Sequence, residues 1–170
     1  MKKQLFFVDA ECDGLYGRFL SIAALVTDED GNEIDRFYSS VRTKVEEIAS
    51  DWVKENVYPY LKKASVFYDS ENDMLEKFWS FWLEYREVAD CVAYVPYPVE
   101  NRLFIACVAE KVEERQFLAP FPLYDLATLL ESKGIFYDCD MKYLSEMDLC
   151  SHDAMNDVRM MAKVWRKLFN

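Results

Sequence analysis

Gln4-Leu5-Phe6-Phe7-Val8-Asp9-Ala10-Glu11 opens on an apolar run and closes on two acids. A nearly unbroken apolar stretch of this length reads as a central strand covered on both faces. Successive strand side chains alternate faces, so Asp9 and Glu11 project to the same side. Two carboxylates held side by side repel each other and need a positive partner, for which a divalent metal ion is the obvious choice. The same pair also suits a strand end that simply reaches solvent. Beyond it, Leu20 to Thr27 reads as a second strand, and Asp28-Glu29-Asp30-Gly31-Asn32 supplies turn chemistry. Glu33 to Val41 then returns as a third, with Ile34, Phe37 and Tyr38 set among polar residues. The three strands make an antiparallel meander.

The period then changes. Ser50 to Leu61 reads as a short helix ending near Pro59, and Ser70 with Asp73 starts a long helix running to about Val88. Cys91-Val92-Ala93-Tyr94-Val95 is a short buried strand, after which Pro98 suits a helix start and Val99 to Val112 continues as helix. Tyr124 to Ser132 and Asp153 to Leu168 complete the helices. The order β-β-β-α-β-α followed mostly by helix predicts an α/β domain with a mixed sheet, spanning 1–170 as one domain.

Composition narrows the function. A formal net charge of −11 argues against a broad grip on nucleic-acid backbone, which needs Lys and Arg. It leaves open a small site where metal ions supply the positive charge. The five cysteines show neither a Cys-x-x-Cys pair nor zinc-site spacing, so they read as reduced thiols. That suggests a reducing compartment, and a cytoplasmic protein is expected. Lys2 and Lys3 precede an apolar run that Asp9 interrupts too early for a signal peptide. No stretch approaches a membrane span.

Three further residues invite chemistry. Glu100 sits in a first helical turn, where exposed amides favour a carboxylate. It also lies three, four and seven residues from Leu103, Phe104 and Cys107, close to an apolar face, where an acid needs a partner. The last helix carries a stripe of Ala154, Val158, Met161, Trp165 and Leu168. Asp157 flanks that stripe and should face the sheet. His152, the only histidine, precedes this helix, where Ser151 or Asp153 is placed to cap it. A lone histidine is more often structural than catalytic, but this one has an inward-facing acid a turn later.

Together these segments resemble the DEDDh 3′–5′ exonucleases, a superfamily with an RNase H-like fold that includes the proofreading subunit of DNA polymerase III, RNase T and oligoribonuclease. Phe7-Val8-Asp9-Ala10-Glu11-Cys12-Asp13-Gly14 resembles the first motif, and Val92-Ala93-Tyr94 through Val99-Glu100-Asn101-Arg102-Leu103 the second. Ser151-His152-Asp153-Ala154-Met155-Asn156-Asp157 resembles the third closely, and Tyr124-Asp125-Leu126 a helix that packs behind the site. The family's second motif has Asp where this chain has Glu100, and the intervening Pro96-Tyr97-Pro98 is unusual.

The resemblance implies two Mg²⁺ or Mn²⁺ ions held by Asp9, Glu11, Glu100 and Asp157, with His152 as general base. It implies that Cys12, Asp13, Gly14 and Leu15 touch the terminal nucleotide, although an ordinary strand-to-strand turn suits each of them as well. Tyr94 and Tyr97 are placed either to stack a base or to pack in the core. The implied activity is 3′–5′ exonucleolytic cleavage at single-stranded RNA or DNA ends, with a homodimer as a family-level expectation. Asp51-Trp52-Val53 through Val57-Tyr58-Pro59-Tyr60-Leu61 faintly resembles the RNase AS-like exoribonucleases, which favours RNA. The alternatives are a different phosphodiester such as a dinucleotide, or a module in which Glu100 has spoiled catalysis and only binding remains.

Overall fold

The computed structural model describes residues 4–136 and 140–169. Its centre is a six-stranded mixed sheet in the order β4-β3-β2-β1-β5-β6. The meander is β1 (Gln4–Cys12), β2 (Phe19–Asp28) and β3 (Glu33–Val41), each antiparallel to the next. Three strands join it in parallel: β4 (Val66–Tyr68) on β3, β5 (Ala89–Ala93) on β1, and β6 (Leu123–Asp125) on β5. Helices α1 (Asp51–Asn56), α2 (Tyr58–Leu61), α3 (Glu71–Tyr85), α4 (Val99–Ala109), α5 (Val112–Arg115), α6 (Leu126–Ser132), α7 (Met141–Ser145) and α8 (Ala154–Phe169) complete the order. This is the mixed α/β architecture that the sequence predicts.

The alternation of β1 divides the molecule into two cores. Phe6, Val8, Ala10 and Cys12 point into one, with α3 and α4. Phe6 is fully buried and meets Phe78 and Trp82 edge-on at 6.3 and 5.1 Å, which clamps the strand in place. Phe7 points the other way, into a core closed by Ala154, Val158, Met161 and Trp165 of α8. Asp9 and Glu11 share the parity of Phe7, so they emerge on the α8 face where that helix begins.

Several boundaries differ from the reading of the sequence. Residues 50–61 form two short helices, α1 and α2, separated at Val57. Pro59 has no N–H to continue the first helix but is accommodated near the start of the second. The strand at Cys91 begins at Ala89 and ends at Ala93, leaving Tyr94 and Val95 beyond it. Leu123–Asp125, partly read as the beginning of a helix, pairs with β5 instead. Among the described cysteines, Cys12, Cys91 and Cys107 are buried and Cys150 is exposed, all as free thiols; Cys139 lies outside the described residues. No described helix is long and apolar enough to cross a membrane.

Candidate metal centre and its surroundings

Asp9 and Glu11 come from the end of β1, and Asp157 from the first turn of α8. Carboxylate oxygens of all three lie within 4.8 Å of one another. Such a cluster is costly without a cation. Burial and the charge of Asp153 push Asp9 up to about 7. Burial, then Asp9, Glu100 and Asp153, hold Glu11 well above the usual carboxylate range. Asp157 is raised by burial, Asp9 and Glu11, against the opposing pull of the His152 amide, which donates to its carboxylate. Three hard oxygen donors converging in a strongly negative site are the donor set a divalent cation takes.

The start of α8 is fixed from outside the helix. The Asp153 carbonyl accepts the amides of Asn156 and Asp157 at 2.7 and 3.0 Å. Its carboxylate, only 3% exposed, turns away from the helix end. The Tyr38 hydroxyl donates to Oδ1 at 2.8 Å and the Lys63 ammonium to Oδ2 at 3.0 Å. The Asp153 side chain therefore anchors the helix to β3 and to the segment after α2, in place of the capping role read from its position. Sequence reasoning missed Tyr38 and Lys63, and no local signal marks partners 115 and 90 positions away.

His152 has φ +63°, a left-handed conformation unusual for a residue with a side chain. Its ring is exposed at the rim but stands edge-on to Trp52, with centroids 4.8 Å apart. Partial desolvation draws its pKa below the ordinary histidine value. Trp52 is a third residue that the motifs did not assign to the site.

Glu100 is brought near but not into the cluster of three. It is buried, and burial followed by Asp9 raises its pKa well above the usual range. The pairing of β1 with β5 stops at Val8 and Ala93. The amide of Glu100 itself and that of Ala10, two residues further along β1, pull the pKa of Glu100 back down. Its Oε2 is buried with no hydrogen-bond partner among the described residues. A buried carboxylate oxygen without a partner beside three other acids is a further mark of a site suited to a cation.

The four residues expected to touch a terminal nucleotide differ among themselves. Cys12 is buried, accepts from Arg102 Nη2 at 2.9 Å, and burial pushes its thiol up to about 12, so it stays protonated. Both carboxylate oxygens of Asp13 accept backbone amides, from Ala49 at 2.8 Å and Ser50 at 3.0 Å. Ser50 in turn caps α1, so Asp13 holds the helix that carries Trp52 to His152. Gly14 turns the chain at φ +75°, and Leu15 is exposed. The same turn approaches Gly17 so closely that a Cβ there would lie 1.9 Å from the Asp13 carbonyl oxygen. Tyr94 packs against the α8-side core, whereas Tyr97 is exposed. Behind the site, Asp125 caps α6 and accepts the Val95 amide at 3.1 Å, tying β6 to the loop that leads to Glu100.

No protein-family model matches the chain, and no curated protein matches it in sequence. Solved structures do. The zinc-bound form of the E. coli exonuclease I–ssDNA complex superposes with a TM-score of 0.66 at 13% identity, over 99% of this chain and 41% of that one. E. coli exonuclease I in complex with a dA16 oligonucleotide gives 0.63 at 14%, over 98% and 41%. A moderately thermophilic exonuclease I from Methylocaldum szegediense gives 0.61 at 14%, over 98% and 41%. This chain thus spans about two fifths of the length of those it matches. At such identities the likeness lies in the fold: the RNase H-like sheet and helices of this chain are shared with exonuclease I.

Proposed function

We propose that this chain is a metal-dependent 3′–5′ exonuclease that hydrolyses phosphodiester bonds at single-stranded ends, favouring RNA over DNA. The observation that carries the reading is the convergence of Asp9, Glu11 and Asp157, with His152 exposed just before the helix that carries Asp157. In support, exonuclease I, whose fold the chain shares, is itself seen bound to single-stranded DNA. The preference for RNA rests on residues 51–61 and their faint likeness to RNase AS-like enzymes.

Asp9, Glu11 and Asp157, with Glu100 beside them, would hold two Mg²⁺ or Mn²⁺ ions. Such ions would supply Lewis-acid activation of a water and charge neutralisation at the leaving oxygen of an in-line displacement. The protein's own work is positioning and proton transfer. The His152 amide orients Asp157. The imidazole, kept neutral at pH 7 by its lowered pKa, takes a proton from the attacking water at a ring nitrogen. The new P–O bond forms as the bond to the 3′ oxygen of the preceding nucleotide breaks, releasing a 5′-nucleotide. Trp52 limits the swing of the ring and excludes water from one side.

Glu100 favours a second reading. It lies outside the group formed by Asp9, Glu11 and Asp157, as suits a domain that binds single strands without cutting them. Incubation of matched 5′-labelled RNA and DNA oligonucleotides with Mn²⁺ or with EDTA separates the two. The exonuclease gives a ladder shortening from the 3′ end in Mn²⁺ alone, faster on RNA. Intact oligonucleotide under both conditions supports the binding module, and faster loss of DNA removes only the RNA preference.

A further inference from the structure

On the α8 face of the sheet a second concavity lies next to the acid cluster, with a volume of about 260 Å³ and a lining that includes Arg36, Tyr38, Lys63, Ser65, Asn156 and Arg159. Its position follows from strand register. Asp9 pairs with Ala23 and Ala23 with Tyr38, so Tyr38 lies two strands from Asp9, roughly 10 Å across the sheet. Asp153 stands between the two sites, its charge felt by Asp9 and its carboxylate reached by Tyr38 and Lys63.

In a chain of net charge −11 this spot reverses the local sign. Three cations line the cavity against one carboxylate, that of Asp153. Asp153 is engaged through both oxygens by Tyr38 and Lys63, so the lysine offsets its charge and the two arginines remain in excess. The Lys63 ammonium has three donors and gives one to Asp153. Arg36 lies 3.5 Å from Glu33, a loose exposed pair, and Arg159 makes no ion pair among the described residues. The planar donors of two arginines, a lysine and the hydroxyl of Ser65 suit a tetrahedral oxyanion.

We propose that this cavity binds a phosphate group, either of the substrate strand next to the linkage being cut or of a free nucleotide. The first source rests on the exonuclease reading; the cavity itself does not. A site that grips one more phosphate would hold a short strand in place while the rest of the acidic surface repels it, limiting the enzyme to a few nucleotides at an end.

The test is binding in EDTA, where nothing is hydrolysed. Affinities are measured for a fluorescein-labelled pentauridylate, for inorganic phosphate and for UMP, between about 50 and 200 mM salt. Arg159→Gln is expected to weaken phosphate and UMP about tenfold, the scale of one charge-assisted contact. It should also flatten the oligonucleotide's salt dependence by about 0.7 in log–log slope. Arg36→Gln does the same more weakly, Arg159→Lys restores the slope, and Lys77→Gln, on exposed α3 surface, changes neither. Loss of phosphate and UMP binding with an unaltered oligonucleotide slope assigns the site to free nucleotides. Unchanged binding of all three ligands in both Arg36→Gln and Arg159→Gln, with melting temperatures confirming folded protein, overturns the proposal. Arginine-dependent binding in a protein that never cuts in Mn²⁺ leaves the cavity standing and defeats the exonuclease reading alone.

Discussion

Two helix starts deliver an acid to the end of β1, and they are built differently. At α8 the chain is held from three sides. Asp153 is tied to Tyr38 and Lys63, its carbonyl takes two amides, and the His152 amide reaches Asp157. At α4 the residue before the helix is Pro98, which makes no side-chain cap, and Glu100 reaches back to the amide that β5 leaves open on β1. The anchored start places its carboxylate among Asp9 and Glu11, and the uncapped one places its carboxylate alongside. The longer glutamate side chain makes the second arrangement possible: it spans to the backbone while keeping its charge next to Asp9. Tertiary anchoring, more than the identity of the acid, separates the two.

Breaking the anchored side should do the greater damage. Asp157→Asn is expected to lower hydrolysis of a single-stranded oligonucleotide on the order of 10⁴-fold, about 5.5 kcal/mol of transition-state stabilisation. His152→Ala should cost about 10³-fold in kcat with little change in KM, as for loss of a general base. Tyr38→Phe and Lys63→Met leave the acids in place but free Asp153. About 10- to 100-fold losses in Mn²⁺ affinity are expected, read by calorimetry. Glu100→Gln, which keeps an oxygen for the Ala10 amide, should cost about tenfold at most in kcat/KM. A loss as large as that of Asp157→Asn would show the two helix starts to be equivalent and make Glu100 a full ligand.

The metal-free cluster also predicts a pH dependence. Between the ordinary Asp value of 3.8 and the raised value of about 7, the folded chain keeps a proton on Asp9 that the unfolded chain has lost. Stability contributed there falls as pH rises through that window. In EDTA the melting temperature should therefore rise modestly as pH is lowered from about 7.5 to about 5.5. Adding Mn²⁺ at the higher pH should recover the difference. A melting temperature that falls over the same range in EDTA means that the acids are not mutually strained.

Much of this architecture is legible in the chain because its signals are local. The apolar run at Phe6-Phe7-Val8, the turn chemistry of Asp28 to Asn32 and the 4-3-4-3 stripe of α8 can each be read within one short stretch. The parity of β1 likewise puts Asp9 and Glu11 on one face. Three-residue strands such as Val66–Tyr68 are too short to show a period, and Leu123–Asp125 runs into a helix that hides it. Around the site, Tyr38, Lys63 and Trp52 could not be read because their roles exist only after distant segments pack. Asp13 carries a role that its motif position does not show: its oxygens hold the amides of Ala49 and Ser50. The orientation of Glu100 depends on where β5 stops pairing, which composition does not record.

The proposed activity depends on Asp9, Glu11 and Asp157 holding a metal ion together. Titration of Mn²⁺ into the wild-type chain and Asp157→Asn, followed by electron paramagnetic resonance, tests it most directly. Tight Mn²⁺ binding by the wild type that weakens at least about tenfold in the variant is the predicted result. Equal Mn²⁺ affinity in the two proteins, or none in either, contradicts it.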